Sequence, residues 1–191
     1  MLLLHIFKKQ FIIFNHQMKG DYERELKGIL QGNKDILINV TRRCSPEEKE
    51  KYLKIMETPF TVVRAAGSFG IDLVAVRGDL SLLIEIKSSN KDTIHFSSQN
   101  GKLQKQAYLM REECKRSKTL PIYAYRLKNY RGGDAWRIFT LDEMNCLIGR
   151  AKIVHKKIPK IKKSNNGNLI MKWDNGMSLA EFIDYINYLC K

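Results

Sequence analysis

Apolar positions recur at two different periods along this chain, and the change from one to the other marks out its elements. From Asp21 onward, Tyr22, Leu26, Ile29 and Leu30 fall at helical spacing and Gly32-Asn33 closes the run, which predicts an amphipathic helix. Ile36 to Val40 reads as a short apolar, strand-like piece. Ser45-Pro46-Glu47-Glu48 then supplies a cap, a proline at the first helical position and early acidic residues, so a second helix is expected to about Met56. Beyond Thr58-Pro59, the branched and aromatic run Phe60 to Arg64 predicts a strand, and two more strands carry Asp72 and Glu85.

A helix is expected from about Ser98 to Ser117, with Leu103, Ala107, Met110 and Cys114 on one face. Pro121 to Leu127 and Trp136 to Leu141 read as two further strands joined through Gly132-Gly133. The order helix, three strands, helix, two strands predicts a mixed α/β sandwich. After Leu141 comes a smaller unit: a helix from Asp142 to Arg150, a basic stretch, a hairpin turning at Asn165 to Asn168, and a final amphipathic helix behind the capping box Ser178-Leu179-Ala180-Glu181. We therefore expect residues 1–17 to be an extension outside the fold, 18–141 to form the main domain, and 142–191 to be a small α+β extension packed on its core.

Composition narrows the partners. The 191 residues carry 34 Lys and Arg against 20 Asp and Glu, a formal charge of +14 that favours a polyanion. With no long uncharged apolar run, nucleic acid fits better than a membrane. The four cysteines, Cys44, Cys114, Cys146 and Cys190, form no C-x-x-C pair, which argues against a zinc ribbon and suits a reducing cytoplasm. The four scattered histidines argue against a histidine-based metal site.

The chemistry sits on the second and third strands. With a period of two, Leu83, Glu85 and Lys87 share one face, and Asp72 opens the adjacent strand. A carboxylate and an ammonium in a core strand cost several kcal/mol (about 2–7 for even a neutral polar group) unless they pair or bind a metal. Asp72, Glu85 and the backbone carbonyl of Ile86 are oxygen donors suited to Mg²⁺, with Mn²⁺ able to substitute. Lys87 is placed to position a water or to neutralise charge on a phosphate.

These pieces, in order, resemble the archaeal Holliday-junction resolvases of the PD-(D/E)XK nuclease superfamily. The resemblance rests on Tyr22-Glu23-Arg24-Glu25-Leu26, Val62-Val63-Arg64-Ala65-Ala66-Gly67-Ser68, Asp72-Leu73-Val74-Ala75, Ile84-Glu85-Ile86-Lys87-Ser88 and Trp136-Arg137-Ile138-Phe139, spanning residues 20–141. It implies a restriction-endonuclease-like mixed central sheet flanked by helices, and a homodimer that cuts four-way DNA junctions by metal-dependent hydrolysis in paired symmetric nicks. It further implies that Glu23 completes the metal shell around Asp72 and Glu85, that Ser68 belongs to the catalytic loop, and that Arg24 and Arg64 contact phosphates. Guanidinium groups suit that last task through planar, bidentate binding.

Compared with that family, Asp35 to Pro59 reads as an insertion, and the unit after Leu141 as an addition. Lys102 and the basic run containing Lys156, Lys157 and Lys160 are candidates for an outer DNA track. Two alternatives stay open on sequence: a nuclease of the same superfamily acting on another DNA structure, and a DNA-binding protein without activity. No small-molecule cofactor is expected.

Overall fold

The computed structural model describes residues 20–65, 70–97 and 101–190. The expected extension at 1–17 and Ser68 lie outside the described residues.

Six strands form the central sheet in the order β1 (Thr61–Arg64), β2 (Leu73–Arg77), β3 (Leu80–Ser89), β5 (Leu120–Leu127), β6 (Trp136–Phe139) and β9 (Met177–Ser178). β3 and β5 run parallel and every other neighbouring pair is antiparallel, so the sheet is mixed, as the family resemblance implies. The parallel pair requires a crossover, supplied by helix α4 (Lys102–Ser117). β2 and β3 are joined by the two-residue turn Gly78-Asp79, where Gly78 takes a φ of +58° that a residue without Cβ adopts freely.

Helix α1 (Asp21–Leu30) buries Leu26, Ile29 and Leu30 completely, each worth about 1.5–3 kcal/mol on removal from water. In β2 the buried positions alternate, with Leu73, Ala75 and Arg77 inside and Val74 and Val76 more exposed. Helices lie on both sides of the sheet: α1 rests against β1, β2 and β3, and α4 against β5.

Two expected elements take a different form. Ile36 to Val40 is not strand-like but belongs to helix α2 (Lys34–Val40), started by Asn33, whose side chain accepts the Ile36 N–H. Close packing favours this outcome, because a Cβ on Gly28 of α1 would lie 2.1 Å from Ile36 Cδ1. The helix expected at Asp142 to Arg150 instead runs as α5 (Gly149–Lys157), and residues 142–148 before it form a bend at Asp142 and a turn at Asn145-Cys146. Helix α3 (Pro46–Leu53) has the full reciprocal cap between Ser45 and Glu48.

The C-terminal residues are tied to the sheet by buried polar links. Asp134 accepts hydrogen bonds from Tyr52 Oη of α3 (2.7 Å), from the Trp136 N–H (2.9 Å) and from the Ala180 N–H of α6 (Leu179–Leu189, 3.0 Å). Arg77 of β2 donates to the Thr58 carbonyl (2.6 Å) and to Asn187 Oδ1 of α6 (2.5 Å). β4 (Thr93–His95), β8 (Leu169–Lys172) and β7 (Lys162–Lys163) form a second, antiparallel sheet, and the β7–β8 turn is the expected hairpin.

Candidate active site

Asp72 and Glu85 come together where β2 begins and β3 passes beside it. The antiparallel register pairs Leu73 with Ile84, so the residues that follow on β3 border the one that precedes β2. Asp72 N–H donates to the Ile84 carbonyl (2.9 Å), and Asp72 Oδ2 accepts from the Ile86 N–H (2.7 Å). The aspartate is thus held by main chain on both sides, and the Ile86 peptide borders the pair. Lys87 Nζ is ion-paired with Glu85 Oε1.

Glu85 is 5% exposed, and its Oε2 has no hydrogen-bond donor among the described residues. Burial pushes its carboxyl up to about 7; the Lys87 charge opposes this and the Asp72 charge adds to it. Asp72 is also raised, first by burial, with the Ile86 N–H pulling back and the charge of Glu23 pushing further. The two carboxyls are near enough for a shared proton to hold Asp72 down and Glu85 up. Two adjacent carboxyls, one with a buried oxygen that no donor reaches, are stabilised by a proton or a cation between them. That donor set, all oxygen, fits a hard divalent ion.

Glu23 does not join them. Among the described residues no group of three or more acidic, histidine or cysteine side chains converges as a metal cage. Glu23 Oε2 instead meets Arg64 Nη2 at 2.5 Å. Arg24 is exposed and ion-paired with Asp21 on its own helix. Lys102 is exposed at the start of α4.

The proposed outer track is divided by the fold. Arg150, at the start of α5, pairs with Asp79 in the β2–β3 turn, the opposite end of those strands from Asp72 and Glu85. Lys156 and Lys157 are exposed at the far end of α5, with Lys157 Nζ 5.7 Å from the Tyr185 ring centre. Lys160 is not free for a phosphate: its ammonium donates to the carbonyls of His155 and Ile158 (the latter at 2.9 Å), and burial lowers its pKa.

One neighbour was not anticipated. Tyr123 of β5 sits directly opposite Glu85 in the parallel register, is buried, and packs against Phe96 with ring centres 5.7 Å apart. Burial and the Glu85 charge drive its phenol upward, so it stays protonated beside the carboxyl pair. Apolar alternation identifies β5, but which of its residues faces Glu85 depends on a register that no local signal specifies.

A family model described as archaeal Holliday junction resolvase matches residues 39–187. The match takes in Asp72, Glu85 and Lys87, continues through the C-terminal unit, and leaves out α1 with Glu23 and Arg24. Among solved structures, the Holliday junction resolvase of the archaeal hyperthermophile Archaeoglobus fulgidus aligns at 16% identity over 80% of this chain and 92% of that chain, with a TM-score of 0.42. No curated protein matches.

Proposed function

The chain belongs to the archaeal Holliday junction resolvase family and is a nuclease of DNA junctions, and on that premise we propose that Asp72, Glu85 and Lys87 are its cutting centre. The observation that carries this reading is the buried, unpartnered Glu85 Oε2 facing a second carboxyl beside an ammonium. Asp72, Glu85 and the Ile86 carbonyl would hold a divalent ion, Mg²⁺ by preference and Mn²⁺ in its place. When bound, such an ion acidifies a water and shields the charge that a phosphodiester gathers under attack.

The protein's own groups do the rest. The Ile86 N–H and the Ile84 carbonyl fix Asp72, and Lys87 holds Glu85 in place while offering its ammonium to the phosphate. Arg64 is exposed enough to leave Glu23 for a phosphate oxygen, after which Glu23 is available to the ion. Ser68 and Arg24 complete the set of residues we assign to the substrate side. The work is endonucleolytic, directed at crossover junctions, and done by a homodimer whose two centres nick strands symmetrically. Four unpaired cysteines favour the cytoplasm as its compartment. Among the described residues no helix is long and apolar enough to cross a membrane.

The test uses the full chain with a mobile four-way junction, a linear duplex of equal length and a replication-fork substrate, each with Mg²⁺ or chelator. Paired nicks in the junction alone support the reading. Preferential cutting of the fork or duplex would assign another DNA structure, and no cutting of any would leave a binding protein.

A further inference from the structure

On the other flank of α1 lies a cleft of about 430 Å³ that the cutting chemistry does not use. Its walls carry three arginines: Arg42 and Arg43, in the turn after α2, and Arg126, near the end of β5. Arg126 is held in place, its Nε donating to Glu25 Oε1 (2.9 Å) and one terminal nitrogen to the Leu127 carbonyl (2.8 Å). Trp136 Nε1 donates to the same Glu25 oxygen at 2.7 Å, so that carboxylate is committed. Arg42 and Arg43 are exposed, and no carboxylate pairs with either among the described residues. Three guanidinium groups against one committed carboxylate leave the cleft with an excess of two positive charges.

The placement relative to the cutting centre matters. Glu23 and Glu25 leave α1 on opposite sides, one to Arg64 on β1 and the other to Arg126 on β5. Arg126 pairs with Ser88 in the register, three residues beyond the pairing of Glu85 with Tyr123. At a strand rise of roughly 3.3 Å per residue, that is about 10 Å along the strand toward the sheet end where β2 begins, and the odd offset turns Arg126 to the opposite face of the sheet from Glu85. Backbone held in the cleft therefore reaches the carboxyl pair by passing around that end of the sheet rather than along one face. By contrast, the lysine-rich α5 starts at the opposite end of β2 and β3.

We propose that this cleft binds the sugar–phosphate backbone of a four-way junction, beyond the strand being cut, through Arg42 and Arg43 with Arg126 as a pre-set third donor. Guanidinium is the matching chemistry, because two parallel N–H groups meet two phosphate oxygens. The proposal rests on the junction-nuclease reading, since a junction carries more backbone around one end of the sheet than a duplex does.

The experiment measures binding of an immobile four-way junction and of an equal-length duplex, in Ca²⁺, to wild type and R42A/R43A across a range of salt concentrations. In parallel, arginine-specific modification of wild type with and without junction is mapped by mass spectrometry. The double variant is expected to bind the junction on the order of tenfold more weakly, with a log–log salt slope shallower by about two, since each lost phosphate contact removes about 0.9. Arg42 and Arg43 of wild type are expected to be shielded by junction DNA, a readout that does not depend on the variant folding. An unchanged slope, or arginines as reactive with junction as without it, would overturn the proposal. If wild type binds duplex as tightly as junction, the junction-nuclease reading fails instead, and the slope and shielding still decide whether the cleft takes DNA backbone.

Discussion

Glu23 on α1 and Arg64 at the end of β1 are 41 residues apart in sequence and meet side chain to side chain at 2.5 Å. Their side chains are 26% and 52% exposed, and an ion pair this accessible contributes at most about 1 kcal/mol. A phosphate can therefore displace Glu23 from Arg64 at little cost. Arg64→Ala is expected to lower junction cleavage by roughly ten- to hundredfold, the loss of a charge-assisted phosphate contact of about 1.5–3 kcal/mol. The melting temperature should move by no more than a few degrees. Calorimetry with single-turnover kinetics checks both; a large fall in stability with normal cleavage would make the pair structural.

Glu85 supplies a pH signature. Its carboxyl is raised from an ordinary 4.5 to about 7, mainly by burial. Between those values the folded protein keeps a proton that the unfolded chain has lost, so this group stabilises the metal-free fold below about pH 4.5 and the contribution fades as pH rises through 7. The span corresponds to something on the order of 3 kcal/mol. Asp72 is raised in the same direction and adds to the decline. Carboxyl-carbon NMR of the metal-free protein should show a glutamate titrating near 7, and Mg²⁺ should move that midpoint downward. A midpoint at the ordinary value in chelator would remove the pair as a cation site.

Asp72→Asn separates charge from shape. The amide keeps an oxygen for the Ile86 N–H and removes a carboxylate that faces Glu85. Metal-free protein at pH 8 should be at least as stable as wild type. Cleavage should fall by about a thousandfold or more, as expected when one of the ligands that activates water is lost. The stabilisation that wild type gains from added Mg²⁺, which grows with the ratio of ion to its dissociation constant, should vanish. Thermal denaturation with and without Mg²⁺ gives the answer, and an undiminished metal-dependent shift would contradict the assignment.

Much of this arrangement is legible in the chain itself because it is local. Period-two alternation places Glu85 and Lys87 on one face, and the short turn at Gly78-Asp79 brings β2 back beside β3 so that Asp72 meets them. What is not legible is set by distant packing. Ile36 to Val40 has β-branched residues that suit a strand, yet Asn33 caps a helix there and Gly28 lets it approach α1. Glu23 has the right spacing to reach the strand ends, and its pairing with Arg64 across 41 residues depends on how α1 packs against β1. Lys160 belongs to the densest positive run, where charge alone suggests DNA, and only the path after α5 turns its ammonium onto two carbonyls.

That last contact yields an expectation opposite to the one that charge suggests. Lys160 closes the end of α5 by donating to the carbonyls of His155 and Ile158, and a cation at a helix C-terminus also meets the negative end of the helix dipole. Lys160→Ala leaves those carbonyls without a donor, which should cost about 1–3 kcal/mol of stability. Junction affinity and its salt slope should stay as in wild type, since the ammonium is already engaged. The paired variant K156A/K157A should do the reverse: little change in urea midpoint, because both side chains are exposed, and a shallower slope only if DNA reaches α5. Urea denaturation and salt-dependent binding of the two variants, measured side by side, test this division. A Lys160→Ala protein with wild-type stability and a shallower salt slope would return that lysine to the DNA surface.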